Sequence, residues 1–374
     1  MTYSPIVEDF LEIVTTPSHC LNERALADLM KSKLQELGCQ VEEDSAGAKI
    51  GGDSGNIIAR LPGAKSAESV LFSAHLDRVS NPGKITPIVK IDEDKITSDG
   101  TTILGADDAS GLAAVIDGIR RLKQSGLEHG EVEIVFTVAE EIGLQGSAAM
   151  DLGRLKSKIA YVIDTSGDVG VLVNQAPTQR TVKIRIHGKS SHAGMEPEKG
   201  INAIKAGAVA LSRLREGRLS PITTSNFGVI QGGQATNIVC DMLYLKGEAR
   251  SHDEGELSAY CEEVEQTFRK AAKEAGATVE FAWNLEYSAF KVAKKERVVT
   301  VASQALAALG LKAKIVRGGG GLDANNFNLA GIKSLGLSPG YKNVHSPNES
   351  QSISQLILCG QAVFEIIKTV ALQG

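Results

Sequence analysis

The sequence EVEIVFTVAEE, residues 131–141, joins an apolar stretch to two adjacent carboxylates, Glu140 and Glu141. A second stretch of the same kind, VLFSAHLD at residues 70–77, carries His75 and Asp77 at its end. Short apolar runs that end on polar residues predict buried strands delivering those residues to one edge of a sheet. A cluster of His, Asp and Glu side chains without cysteine suits a metal centre that activates water.

Outward from these stretches, apolar strand-like runs alternate with amphipathic helical patterns. Strands are predicted at 56–61, 70–75, 132–139 and 159–164, with a helix over 109–122. This alternation is typical of an α/β fold in which a mixed sheet is flanked by helices.

The pattern changes near Ala176 and Pro177. Residues 181–187 alternate strictly between apolar and polar, which predicts a strand with one solvated face. The order that follows is strand, helix, strand, strand, helix, strand, a ferredoxin-like split pattern of an α+β domain. Buried-type runs return near residue 290, and 374 residues suit two domains. We therefore predict a catalytic domain, 1–176 plus 291–374, interrupted by an inserted domain at 177–290.

Composition argues against several classes of partner. The net charge of −5 does not provide the basic face that nucleic acid requires. No apolar run of about 18 residues is present, so we expect no membrane span. The cysteines are odd in number and lack C-x-x-C spacing, which predicts reduced thiols in a cytoplasmic protein. They are Cys20, Cys39, Cys240, Cys261 and Cys359.

Three further stretches carry candidate metal ligands. LGADDASG at 104–111 opens a helix with Asp107 and Asp108, IAYVID ends on Asp164, and NVHSPNE at 343–349 contains His345. Asp108 has a simpler explanation as a helix N-cap, and Glu140 and Glu141 as solvated carboxylates. Two adjacent aspartates repel each other unless a cation lies close, and Asp107 is the candidate to bridge two ions.

The ordered set HLD, GADDASG, AEEIG, VIDT and NVHSPNE resembles the M20 metallopeptidases, in particular their peptidase T (tripeptide aminopeptidase) branch. The resemblance implies a zinc exopeptidase-like catalytic domain with two Zn²⁺ ions, for which Co²⁺ or Mn²⁺ are alternatives. Asp107 would bridge the ions, His75 and Asp164 would complete one, and Glu141 and His345 the other. Asp77 would orient His75, Glu140 would act as general base, and the Asp107–Asp108 peptide bond would be cis.

The resemblance also implies substrate contacts. His192 in SSHAG would stabilise the oxyanion, Asn237 in ATNIV would hydrogen-bond the substrate, and Arg250 would take a substrate carboxylate. Gly320, in a loop that resembles the family's RGGTD motif but lacks its Thr, would assist Arg250. The inserted domain would serve as a lid and as the interface of a homodimer.

Taken together, the sequence predicts a cytoplasmic dizinc aminopeptidase acting on short peptides. The same metal centre would also serve an N-acyl-amino-acid deacylase or a carboxypeptidase. A non-catalytic binding protein is the alternative from another class. We expect neither nucleic acid nor a membrane as a partner.

Overall fold

The chain builds one structural unit, leaves it after Ala176 and returns to it at Phe290. The computed structural model describes residues 3–63, 67–79 and 83–373. The first unit is Met1–Ala176 with Phe290–Gly374, and the second is Pro177–Ala289. The sequence pattern assigns Phe290 to the insertion, whereas Phe290 pairs with Ala176 in the main sheet and so belongs to the first unit.

The first unit consists of a mixed sheet, a small antiparallel sheet and helices packed with them. Its strands are β1 (Gln40–Glu43), β2 (Ile57–Leu61), β3 (Val70–His75), β4 (Ile88–Lys90), β5 (Lys95–Thr97), β6 (Val132–Thr137), β7 (Ile159–Val162), β8 (Val171–Ala176), β14 (Phe290–Lys291), β15 (Lys314–Arg317), β16 (Lys333–Leu337), β17 (Tyr341–Lys342) and β18 (Ser350–Ser352). Its helices are α1 (Pro5–Thr15), α2 (Arg24–Glu36), α3 (Ala46–Ile50), α4 (Ala106–Ser125), α5 (Gln145–Ala149), α8 (Arg297–Ala308), α9 (Ala324–Leu329) and α10 (Ile353–Gln373).

The main sheet has the order β1-β2-β6-β3-β7-β16-β8-β14, and β15 pairs with β8. Strand β3 runs parallel to both β6 and β7, so the carboxyl ends of these three strands meet at one edge. The small sheet, β17-β18-β5-β4, contains the hairpin that carries residues 343–349. Strand β6 ends at Thr137, two residues earlier than the apolar run suggests, because the chain turns at Ala139 with a positive φ of 51°.

The last helix, α10, is long and apolar enough to cross a membrane by length and composition alone, contrary to the expectation from the sequence. Leu356, Val363, Ile366 and Ile367 on this helix are buried in the core of the first unit. The helix packs against α4 and α8. Burial in the core accounts for its high hydropathy.

The second unit is an antiparallel sheet packed with two helices. Its elements are β9 (Thr178–His187), α6 (Ala203–Arg213), β10 (Gly217–Ser220), β11 (Thr223–Gly232), β12 (Met242–Ser251), α7 (Glu254–Ala275) and β13 (Thr278–Tyr287). The strand order is β10-β11-β12-β9-β13. Apart from the short strand β10, this is the strand-helix-strand-strand-helix-strand arrangement that the sequence predicts. Its own core includes Ile184, Ile186, Leu245 and Phe268.

Candidate metal centre

Three parallel strands bring the predicted acids and His75 to the same edge of the main sheet. His75 is the last residue of β3 and pairs with Thr137, the last residue of β6. Asp164 follows β7 by two residues. After β6 the left-handed turn at Ala139 presents Glu140 and Glu141 at this edge. Ligands of open α/β sheets gather at the carboxyl ends of strands, and these residues lie there.

Asp107 lies between two imidazole rings. Its Oδ1 lies 3.1 Å from Nε2 of His75, and its Oδ2 lies 3.4 Å from Nε2 of His345. Nε2 of His345 also lies 3.1 Å from Oε1 of Glu141. Asp107 thus offers one carboxylate oxygen to each imidazole, as a carboxylate bridging two cations would.

His75 is common to two groups of potential ligands. Ligand atoms of His75, Asp107 and Glu141 lie within 4.8 Å of one another, and so do those of His75, Glu140 and Asp164. The structure therefore brings the five predicted ligands and Glu140 into one cluster, although Glu140 groups with His75 and Asp164 as closely as a ligand would.

Asp77 contacts His75 in a different way from that expected. Its backbone carbonyl lies 3.0 Å from Nδ1 of His75, whereas its nearer carboxylate oxygen lies 3.6 Å from that nitrogen. Because a carbonyl only accepts, Nδ1 carries the proton and Nε2 is left for a cation. The Asp77 carboxylate instead accepts the backbone N–H groups of Glu140 and Glu141 at 2.9 and 3.1 Å.

Two residues between α1 and α2 also stabilise the turn at residues 139–141, and the sequence alone does not predict this role for them. The Cys20 thiol donates to Oδ2 of Asp77 at 3.0 Å. Oε1 of Glu23, a fully buried side chain, accepts the N–H of Ala139 at 3.1 Å. Carboxylates thus hold three consecutive amides, those of residues 139–141. A single acid in the polar stretch of residues 18–24 carries no periodicity that would mark it as buried.

Three buried residues from the C-terminal part of the chain also contact the site or its supporting strands. Asp323 accepts hydrogen bonds from the hydroxyls of Thr137 and Ser147. Glu349 accepts the backbone N–H groups of Gly105 and Asp107 at 2.7 and 3.0 Å. The Tyr341 hydroxyl donates to Oδ1 of Asp164 at 3.0 Å. The signal for Asp323 and Glu349 lies in the motifs that contain them, whereas Tyr341 stands outside any motif.

Asp108 does not face the cluster. Its carboxylate accepts the backbone N–H groups of His75 and Gly111 at 3.2 and 3.0 Å. Asp107 and Asp108 have non-helical backbone angles inside α4, so the bond to Gly111, three residues on, caps the helical part that continues from Ala109, as the simpler interpretation of Asp108 predicts. The peptide bond between Asp107 and Asp108 is cis.

Burial and mutual repulsion act on the ionisation of the cluster. Burial raises the pKa of Asp164 to about 8, with a further contribution from the charge of Asp107. Burial and then Asp164 raise the pKa of Glu140 well above its usual range. Burial opposes ionisation of Asp107, yet the contacts of its carboxylate with the imidazoles of His345 and His75 outweigh burial and lower the pKa of that carboxyl. Hydrogen bonds to Asp107 and Glu141 raise the pKa of His345 to about 10.

The donor set fits divalent metal ions. Four carboxyl groups and two imidazoles meet in a cluster that is largely buried apart from the half-exposed His345, so its crowded carboxylates must be neutralised by protons or cations. Imidazole nitrogen and carboxylate oxygen are ligands of zinc, and they also accept cobalt and manganese. The bridging position of Asp107 between His75 and His345 fits two ions rather than one.

The candidate substrate residues of the second unit lie at opposite ends of its sheet. His192 forms a β-bridge with Ile238, and the amide of Ala193 donates to the carbonyl of Asn237 at 2.9 Å. Arg250 instead pairs with Gln179, at the far end of β9 from His187. At about 3.3 Å per residue, the strand from Gln179 to His187 spans about 26 Å.

Arg250 and Gly320 differ from expectation in their surroundings. The Arg250 guanidinium donates two hydrogen bonds to Glu248, at 2.9 and 3.0 Å, and so is engaged within its own strand. Gly320 lies in the first unit, in the partly exposed turn between β15 and α9. The structure therefore brings His192 and Asn237 together and leaves Arg250 apart from them.

Comparisons with known proteins agree on one family. The model of peptidase family M20/M25/M40 matches residues 71–369. The chain is 38% identical to aminopeptidase PepT from Bacillus cereus, whose crystal structure superposes with a TM-score of 0.87 over 98% of each chain. It is also 38% identical to a tripeptidase from Staphylococcus aureus, with a TM-score of 0.92 over 98% of each chain. Peptidase T of Caldanaerobacter subterraneus is 30% identical over 75% of this chain and 68% of its own length.

Proposed function

The chain belongs to peptidase family M20/M25/M40 and is a metal-dependent peptidase, and we propose that it is an aminopeptidase that acts on tripeptides and other short peptides. The observation that carries the metal-dependent hydrolysis in this proposal is the position of Asp107, with one oxygen toward His75 and the other toward His345. The similarity to an aminopeptidase and a tripeptidase along nearly the whole chain supports the substrate class.

Each ligand has an assigned place in this proposal. His75 and Asp164 would hold one ion, Glu141 and His345 the other, and Asp107 would contact both. Two bound Zn²⁺ ions, or Co²⁺ or Mn²⁺ in their place, would polarise the scissile carbonyl and lower the pKa of a bound water to about 7.

Glu140 is the proposed general base. Its carboxylate lies beside His75 and Asp164, and the Asp77 carboxylate fixes its backbone N–H at 2.9 Å. Glu140 would accept the proton of the attacking water and deliver it to the amine that leaves. A raised pKa makes a carboxylate a stronger proton acceptor, and burial raises the pKa of Glu140.

His192 is the proposed donor to the oxyanion. Its Nδ1 accepts the backbone N–H groups of Gly194 and Met195 at 3.2 and 3.1 Å. Because Nδ1 accepts, the proton resides on Nε2, which makes that exposed nitrogen a hydrogen-bond donor. Loss of one oxyanion donor typically raises a barrier by about 3–4 kcal/mol. Asn237, its neighbour, would bind the same part of the substrate.

The separation within the second unit supports a proposed homodimer. His192 and Arg250 lie at opposite ends of a strand span of about 26 Å, too far apart to bind one tripeptide. If both contact substrate, as we propose, two copies of the chain would contribute to each site. Arg250 would then exchange Glu248 for the substrate carboxylate, and the backbone N–H of Gly320 would serve as a further donor to it. We also propose a cytoplasmic location, since the cysteines are free thiols.

The proposed substrate class is tested with a panel of short peptides. The purified chain, loaded with Zn²⁺, Co²⁺ or Mn²⁺, is assayed on a tripeptide with free ends, on the same tripeptide acetylated at its N-terminus, and on N-acetyl amino acids. We expect cleavage at the first peptide bond of the free tripeptide only. Preferential cleavage of an acetylated substrate would identify a deacylase or carboxypeptidase instead.

The proposed base is tested with Glu140→Ala. We expect near-complete loss of tripeptide hydrolysis with metal content retained, since Glu140 would move the proton rather than hold the ions. Metal content and turnover are measured on the same sample, and the exposed Glu128→Ala serves as the control. Hydrolysis at the normal rate by Glu140→Ala would exclude the assignment.

A further inference from the structure

Tyr341 is a fully buried tyrosine whose hydroxyl forms a hydrogen bond with a proposed metal ligand. It donates to Oδ1 of Asp164 at 3.0 Å, and its side chain is 1% exposed. Tyr341 lies outside the sequence motifs and takes no part in the proposed hydrolysis.

The position of the Tyr341 ring is determined from several sides. Its backbone pairs with Gln351 across the β17–β18 hairpin, and its carbonyl accepts the N–H of Gly167 at 3.3 Å. Gln351 is itself buried and accepts a hydrogen bond from the Ser110 hydroxyl at 2.8 Å. The ring belongs to the core of the first unit. Because the Tyr341 ring is held in place by these contacts, its hydroxyl is directed at the Asp164 carboxylate.

We propose that Tyr341 is a positioning residue whose hydroxyl fixes the rotation of the Asp164 carboxylate. It thereby strengthens binding of the ion held by His75 and Asp164. Binding of the ion at Glu141 and His345 does not depend on it. This proposal rests on the proposed dinuclear centre. Hydrogen bonds that orient a metal ligand typically contribute about 10–100-fold to metal affinity. The selectivity follows from the contacts, because Tyr341 contacts Asp164, whereas His345 contacts Glu141 and Asp107.

The hairpin gives this role a structural basis. Its two ends carry Tyr341 and Glu349, both buried, and its tip carries His345. Glu349 binds the backbone of Asp107, while Tyr341 binds the side chain of Asp164. One short segment of the chain therefore supplies a ligand and also orients two ligands that come from other elements.

The test compares Tyr341→Phe with the matched control Tyr161→Phe. Tyr161 is equally buried, and its hydroxyl donates to the carbonyl of Val298 at 2.9 Å, away from the cluster. Each substitution removes one buried hydroxyl and keeps the ring. Zinc binding to chelator-treated full-length protein is measured by competition with a chromophoric chelator, together with the unfolding temperature and kcat.

We expect Tyr341→Phe to bind one of two zinc ions about 10–100-fold more weakly, with the other ion unaffected. Tyr161→Phe should bind both ions as the wild type does while losing comparable thermal stability. Equal binding of both ions by Tyr341→Phe, or equal weakening of both ions, would overturn the proposal. So would the same loss in Tyr161→Phe.

A double-variant comparison tests the route through Asp164. Asp164→Asn alone should weaken the same ion, and adding Tyr341→Phe should weaken it no further, since the positioned carboxylate is already gone. A full additional loss in the double variant would show that Tyr341 acts otherwise. Failure of the proposed function gives a different result, because wild-type protein would then bind fewer than two ions or leave tripeptides intact.

Discussion

Asp77 and Glu23 direct their carboxylates at the backbone of residues 139–141 rather than at a cation. Asp77 accepts the amides of Glu140 and Glu141, and Glu23 accepts that of Ala139. A carboxylate is a strong acceptor for backbone N–H groups. The carboxylates of Asp77 and Glu23 therefore determine the path of the turn at residues 139–141, which follows the apolar strand β6. At this scale, the direction of the backbone at Glu140 is set by Asp77 and Glu23, neither of which is a predicted metal ligand.

Glu23 leads to a prediction on stability. Its Oε2 has no hydrogen-bond partner among the described residues, and burial raises its pKa from 4.5 to about 7. Between these values the folded protein binds a proton that the unfolded chain has released, so the contribution of Glu23 to stability falls as pH rises from about 4.5 to 7. Glu23→Gln keeps the Oε1 acceptor and does not ionise. We expect it to gain stability relative to wild type across this range.

The measurement is urea unfolding of metal-free protein at pH 5 and pH 8. The difference in unfolding free energy between Glu23→Gln and wild type should be larger at pH 8. The exposed Glu8→Gln serves as the control and should show the same difference at both values. A difference for Glu23→Gln that does not change with pH would contradict the prediction.

At the scale of elements, the start of α4 and the end of β7 approach closely enough to position two ligands together. A Cβ on Gly111 of α4 would lie 2.4 Å from the carbonyl oxygen of Ile163 and 2.5 Å from the carboxylate of Asp108. Glycine is therefore required at position 111, because any side chain there would clash with these atoms. The close approach of α4 to the end of β7 holds Asp107 beside Asp164. The hairpin β17–β18 makes the third contact through Tyr341 and Glu349.

Gly111→Ala tests the close approach of these elements. Alanine would favour the helix by about 1 kcal/mol, but overpacking against a backbone carbonyl costs about 1–3 kcal/mol, and the steric cost should win. We expect lower stability and weaker metal binding, because Asp164 follows Ile163 directly. Thermal unfolding and metal titration check both effects. Gly319→Ala, where a Cβ meets nothing within 4 Å, should leave stability unchanged. An unchanged metal affinity in Gly111→Ala would refute the coupling.

At the scale of the whole molecule, the chain is two units with separate cores, and the second is inserted into the first. The insertion leaves from Ala176 and returns at Phe290, which are paired across antiparallel strands β8 and β14. Every predicted metal ligand lies in the first unit, whereas His192, Asn237 and Arg250 lie in the second. The predicted metal ligands therefore come from the first unit, whereas the proposed substrate contacts come from the second unit except for Gly320.

This division predicts the behaviour of a shortened chain. Replacing Pro177–Ala289 by Asn-Gly would close the β8–β14 pair with a two-residue hairpin turn. We expect the product to fold and to bind metal with near-normal affinity, but to hydrolyse tripeptides at least about 100-fold more slowly, as expected on losing an oxyanion donor. Circular dichroism, metal titration and peptide hydrolysis check the three parts. Normal hydrolysis by the shortened chain would contradict the proposed roles of His192 and Arg250.

The sequence by itself determined the apolar strands, their polar ends and the ordered motifs, because these are local patterns of a few residues. From these patterns the α/β fold and the family follow, and both are confirmed by the comparisons. His75, Asp107, Glu141, Asp164 and His345 could be selected because each stands at the end of a strand or within a motif.

Only the tertiary structure decided which donor group each carboxylate binds. Glu349 and Asp107 are 242 residues apart in the chain, and their hydrogen bond exists only because a hairpin folds back onto the start of α4. In the same way, the Asp77 carboxylate accepts the amides of Glu140 and Glu141 while lying 3.6 Å from Nδ1 of His75, and the Tyr341 hydroxyl donates to Asp164. Local sequence carries no information on such contacts, since they depend on the distances between elements that are separated along the chain.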